Sequence, residues 1–187
     1  MRASPPAFSL RRFQSLLALA LMVIALAVLS DNFLTADNGW NILRQISVNL
    51  CLSIGMTLVI VGGGIDLAVG STIALTGVLC AFALRDGWAP SLAVLAAILT
   101  GGLVGLVSGL AITRLRVVPF IATLGMLGIA RGTAKWLASQ TTVNAPATWV
   151  NELAVTFPPA PWMVFAPGVW IALGLALLMA FVLRRTV

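Results

Sequence analysis

The sequence predicts an all-α integral membrane protein of about six transmembrane helices, with a cytoplasmic N-terminus and a helix break at Gly62–Asp66. Three observations predict it. Of 187 residues, 60% are hydrophobic and only 9% charged, whereas a soluble globular domain carries about a quarter charged residues. The apolar residues form continuous runs, which selects helices over the alternating strands of a membrane barrel. The basic residues gather at the ends of those runs, where membrane topology places them.

A bilayer-spanning helix needs about 20 apolar residues, because the hydrocarbon core is ~30 Å thick and each residue rises 1.5 Å. Phe13–Ser30 is an uncharged run of 18 residues and predicts the first span. Its basic start and the "ALAVLS" segment also read as a cleavable secretory signal, though an uncleaved span fits the remaining pattern better. Gln45–Gly63 predicts the second span and Leu67–Leu84 the third. Pro90–Thr113 predicts the fourth, with proline at its start. Val117–Leu137 predicts the fifth and carries Arg131 and Lys135 near its far end. Trp162–Leu183 predicts the sixth. Between the last two, a short surface helix is expected around Trp149–Val155. The whole chain, 1–187, reads as a single transmembrane domain with no linker and no internal repeat.

Charge sets the orientation. Arg2, Arg11, Arg12, Arg114, Arg116, Arg184 and Arg185 fall on the side of the N-terminus, and Arg44 and Arg85 on the other. That asymmetry puts the first group in the cytoplasm. Asp31, Asp37, Asp86 and Glu152 lie in the outer loops, and Trp40, Trp88, Trp136, Trp149 and Trp162 form a belt near the outer face.

Composition also excludes functions. No histidine is present, which removes histidine metal sites and Ser-His-Asp catalysis. Cys51 and Cys80 lie in apolar runs and read as packing residues. Five acidic residues are too few and too spread for paired-carboxylate chemistry. No catalytic and no metal-ligating residue is therefore expected. The net charge of +6 comes from scattered residues without a basic, aromatic-laced patch, so nucleic acid is not an expected partner.

The stretch "GGGIDLAVGS", Gly62–Ser71, stands out. It lacks the lysine of a phosphate-binding loop. Gly62, Gly63 and Gly64 are expected to end the second helix, and Asp66 to sit at the N-cap of the third. That structural role alone accounts for the aspartate. A carboxylate at membrane depth also costs ~2.5–3.5 kcal/mol, so such groups usually face a cavity or a protein partner. Broken helices gather where substrate passes. Gly62, Gly63, Gly64, Asp66, Gly70, Ser71 and Arg131 are the candidates for translocation or gating. Arg131 either snorkels to the interface or pairs with a buried acceptor. Gly101, Gly105 and Gly109 repeat every four residues and are candidates for close helix packing.

Two segments resemble one known family. "NILRQISVNLCLSIGMTLVIVGGGIDLAVGSTIALTG" (Asn41–Gly77) and "RVVPFIATLGMLGIARG" (Arg116–Gly132) are similar to the membrane permease subunits of bacterial ABC importers for monosaccharides, the ribose/xylose/galactose type. A proline-bearing external segment, "FPPAPW" (Phe157–Trp162), follows in the family's order. The resemblance runs from about Trp40 to the C-terminus. It implies a multi-pass subunit of the bacterial inner membrane that forms part of a sugar translocation pathway and catalyses no bond change itself. It implies a second permease copy, a cytoplasmic ATP-binding subunit carrying ATP and Mg, and a periplasmic sugar-binding protein as partners, besides membrane lipid. No cofactor is implied for this chain. Members of the family continue past such a sixth span with a cytoplasmic loop that docks on the ATPase, so this chain is expected to be the N-terminal portion of a permease. The alternatives are an ion-coupled secondary transporter using Asp66, and a truncated remnant that does not transport.

Overall fold

The computed structural model describes residues 14–153, 155 and 165–186. All regular structure among them is helical: α1 (Gln14–Leu29), α2 (Ala36–Val61), α3 (Val69–Arg85), α4 (Pro90–Thr113), α5 (Pro119–Leu137), α6 (Trp149–Glu152) and α7 (Pro167–Thr186). The described residues up to Leu43 form one unit, and those from Arg44 onward form a second.

Three of these helices, α2, α4 and α7, are long and apolar enough to cross a membrane, and α1 and α3 are shorter apolar helices. The protein is thus an all-α membrane protein. α5 is diluted by Arg131 and Lys135 in its second half. Exposed apolar side chains cover the helices, among them Ile98, Leu103 and Leu106 on α4 and Leu177 on α7. Apolar surface on that scale belongs against lipid or protein.

Several element boundaries differ from the sequence reading. α2 begins at Ala36 instead of Gln45. Polar residues there do not stop a helix: the Thr35 hydroxyl accepts the Asn38 N–H (3.3 Å) at its start, and Asp37 lies in its first turn, where the helix dipole favours an acid. The third helix starts at Val69, two residues later than read. The last begins at Pro167, with Trp162 outside the described residues. Phe13, the basic N-terminal residues and Phe157–Trp162 also lie outside them. The short outer helix covers Trp149–Glu152 only. Here the Asn151 side chain accepts the Thr148 N–H at 2.8 Å.

Local chemistry explains where the helices start and stop. α4 and α5 both open with proline at the first position, after extended Ala89 (ψ 134°) and Val118 (ψ 131°). Proline has no N–H to orphan there and pushes its predecessor into the extended region. α2 and α3 close in Schellman turns. Gly63 (φ 77°) and Gly87 (φ 83°) supply the left-handed residue. The Gly64 N–H reaches back to the Val59 carbonyl, and the Trp88 N–H to that of Ala83, both at 2.9 Å. α5 ends the same way with Ser139 (φ 48°) in the glycine's place, the Gln140 N–H binding the Lys135 carbonyl at 3.0 Å.

The packed centre is the group α3, α4 and α5, in which α3 contacts both others. Only residues 86–89 and 114–118 connect them, so neighbours run antiparallel and α3 lies parallel to α5. Leu75, Ala130 and Ala134 are buried together, with Val78, Leu79, Val104 and Leu137 against them. Alanine on α5 brings its backbone close to α3. On the other side of α3, a side chain at Gly101 would meet Thr76 Cγ2 at 3.6 Å and Thr72 Cγ2 at 4.0 Å. Gly105 and Gly109 have no atom within 4 Å of that position among the described residues.

Candidate functional site

The break between α2 and α3 runs from Gly62 to Ala68. Gly63 takes the left-handed backbone that ends α2. Gly64 leaves room for Val59, whose Cγ1 would stand 3.3 Å from a Cβ there. The chain then runs non-helical through Ile65 and Asp66 before α3 begins.

Asp66 does not occupy the N-cap. That position belongs to Ala68, and Asp66 Oδ1 accepts the Ala68 N–H from two residues upstream, at 2.7 Å. This is an Asx-type turn, a local alternative that aspartate offers the backbone. It anchors the entry to α3 without capping its first turn. The Ala68 carbonyl in turn accepts the Thr72 N–H (2.8 Å) and the Thr72 hydroxyl (3.0 Å).

The break is docked on the start of α5. Thr123 is only 3% exposed, and its hydroxyl lies 3.0 Å from the Ile65 carbonyl oxygen and 2.9 Å from that of Pro119. A hydroxyl has one proton to donate, so these two carbonyls share it. Pro119 also lies beside the break, its Cβ 3.9 Å from the position a Gly64 side chain would take. α3 is 17 residues long, or about 26 Å at 1.5 Å per residue, short of the ~30 Å hydrocarbon core.

Thr123 was not legible as a site residue. Its signal is a hydroxyl one turn inside an apolar helix that opens with proline, "VVPFIATLG". Threonine there can satisfy its own helix's carbonyl or reach across to another chain segment.

Among the other candidates, Gly70, Ser71 and Arg131 come together. With Leu67, Ala74 and Leu127 they line a cleft of about 340 Å³ between α3 and α5. Ser71 is buried and Arg131 exposed. Arg131 has no acidic partner: the one ion pair among the described residues joins Arg85 and Asp86, 3.5 Å apart. Arg131 lies eight residues beyond Thr123 on α5, away from the docking contact, and meets the break only through Leu67 at the end of the cleft. Among the described residues no group of three or more His, Cys, Asp or Glu side chains could hold a metal ion.

Comparison with known proteins places these features. Residues 38–187 match the family described as branched-chain amino acid transport system / permease component. The chain is 38% identical to the ribose import permease protein of Escherichia coli over 168 residues, which is 90% of this chain and 52% of that protein. It is 32% identical to the galactofuranose transporter permease protein of Escherichia coli, covering 82% of this chain and 50% of that one. It is also 32% identical to the fructose import permease protein of Rhizobium meliloti, covering 91% and 49%. The chain therefore spans about half the length of the curated relatives it matches. No solved structure matches it.

Proposed function

The chain belongs to the branched-chain amino acid transport system / permease component family, and we propose that it forms part of the translocation pathway of an ATP-driven monosaccharide importer in the bacterial inner membrane. ATP and Mg act on a separate cytoplasmic subunit, a second permease copy completes the pathway, and a periplasmic sugar-binding protein delivers the substrate. The similarity to a ribose import permease over nine-tenths of the chain carries this reading. The fructose and galactofuranose relatives support a monosaccharide as the substrate.

The break is the moving part in this proposal. Transport needs a segment with two arrangements that differ by a few kcal/mol, whose populations a remote event can shift. Gly62, Gly63 and Gly64 give the backbone the freedom to rearrange. The bond from Thr123 to Ile65 supplies a low-cost release. When Ile65 moves away, the hydroxyl keeps an acceptor in Pro119, 2.9 Å off, so only the Ile65 carbonyl loses a partner. Asp66 moves with α3, because its hydrogen bond is local.

The test is uptake of labelled monosaccharide by cells carrying the chain at its own locus, with and without its deletion. The expected result is uptake that requires the chain, stops on ATP depletion and survives an uncoupler. A nucleotide-binding subunit should copurify with the tagged chain. Uptake that collapses with the uncoupler while ATP is maintained would overturn the proposal in favour of an ion-coupled carrier.

A further inference from the structure

Arg131 and Lys135 lie one helical turn apart on α5, and each lines a cleft against α3. Arg131 lines the 340 Å³ cleft with Ser71 and Leu127. Lys135 lines the next one along, about 360 Å³, with Val78, Gln140 and Thr141. Ala74 borders both clefts, so they form one groove along the α3–α5 seam. Both parts of the groove mix apolar lining, Leu127 and Val78, with polar or charged groups, Ser71 and Arg131 in one and Lys135, Gln140 and Thr141 in the other.

Two cations at this spacing are neighbours on the helix surface, and like charges so placed repel. Each is also costly near the hydrocarbon region. All five acidic residues of the chain, Asp31, Asp37, Asp66, Asp86 and Glu152, are described, and none forms an ion pair with either cation. Lys135 gains from the carbonyl end of α5, being in its last turn. Arg131, a turn deeper, has no such compensation. The pair lacks an anion.

The depth of the groove suggests which anion. Trp136 follows Lys135 at the end of α5, and Trp88 follows the end of the parallel α3. Both are exposed. Exposed tryptophan marks the level of the lipid headgroups, so the mouth of the groove opens where phosphates lie and its Leu127 end points into the acyl-chain region. Lysine and arginine side chains at headgroup level can pair with an anionic phosphodiester through charge-assisted hydrogen bonds.

We propose that the α3–α5 groove binds one anionic glycerophospholipid. Its phosphodiester lies between Lys135 and Arg131, and an acyl chain runs past Ala74 and Leu127. The inference needs only the membrane location and is independent of what the protein transports.

Native mass spectrometry of the purified full chain, titrated with phosphatidylglycerol or phosphatidylcholine, tests it. The wild type should retain phosphatidylglycerol at least tenfold over phosphatidylcholine. Arg131→Gln and Lys135→Gln should each lower that preference about fivefold, the factor corresponding to about 1 kcal/mol per cation near anionic lipid. Lys135→Arg should keep it, and Arg114→Gln should leave it unchanged. Should the glutamine variants misfold, acetylation of Lys135 in the wild type gives the same answer, because phosphatidylglycerol and not phosphatidylcholine should protect it. Displacement of the lipid by millimolar inorganic phosphate would overturn the proposal in favour of a free-anion site. Unchanged preference in the double glutamine variant would overturn it outright, as would variants that weaken only self-association, which would assign the anion to a second copy's carboxylate.

Discussion

Replacing Thr123 with valine removes one hydroxyl and keeps the branched shape of the side chain. The Thr123 side chain is 3% exposed, so its hydroxyl is enclosed while the break stays docked. The bond lost is the 3.0 Å contact across the seam. Leaving the Ile65 carbonyl unpaired where water is excluded costs about 1–3 kcal/mol. The carbonyl regains a partner only when the break leaves α5. The substitution should therefore raise the undocked population by a factor on the order of 5 at 1 kcal/mol, rising to about 150 at 3 kcal/mol. Hydrogen exchange in lipid nanodiscs reads this directly. Amides from Gly64 to Ala68 should exchange faster by that factor, while those of α4 between Leu95 and Leu106 keep their protection. Thr123→Ser, which restores the hydroxyl, should return most of the protection. Unchanged exchange at Gly64–Ala68 would refute the latch. Uniform loosening of α4 as well would show that the substitution merely destabilises the packed group.

Asp66→Ala removes the acceptor for the Ala68 N–H and should cost about 1.5–3 kcal/mol, the range for a bond to a charged group; Asp66→Asn keeps an acceptor oxygen and should cost less, as the exchange rate of the Ala68 amide will report. Gly63→Ala puts a Cβ on a left-handed residue, φ 77°, and should destabilise by about 1–2 kcal/mol, with Gly63→Asn milder, both read as shifts in thermal unfolding in detergent. Gly168→Ala drives a methyl group into the Leu153 carbonyl oxygen. It should separate the start of α7 from the α6 segment at a cost of about 1–3 kcal/mol, seen as faster proteolysis near Trp149–Leu153.

Much of this was legible in the sequence because lipid simplifies the code. Long uncharged runs place helices, and Pro90 places one helix start to the residue, whereas the fifth helix, read from Val117, starts at Pro119. The glycine run located the break, since few other residues adopt the left-handed turn found at Gly63. The start of α2 was missed because charge was read as a helix boundary. A helix end in water tolerates Asp37 and Arg44, so the apolar run marks the membrane and not the helix. Asp66 was placed two positions wrong as a cap, because an Asx turn and an N-cap share one residue preference. Thr123 was invisible because its partner, Ile65, is 58 residues away. Nothing in local sequence reports a contact at that distance. The α3–α5 groove was half seen: Arg131 stood out, but its link to Lys135 and Ala74 needed the parallel register of the two helices.

The proposed pathway requires α5 to cross the membrane with the break at one end and the Trp149 segment at the other. Sided thiol labelling in intact cells tests that most directly, with cysteines placed singly at Gly63, Leu115 and Glu152 and the native Cys51 and Cys80 replaced by alanine. A membrane-impermeant reagent added outside should reach position 152, and should reach 63 and 115 only after the cells are opened. Labelling of 115 and 152 from the same side would contradict it.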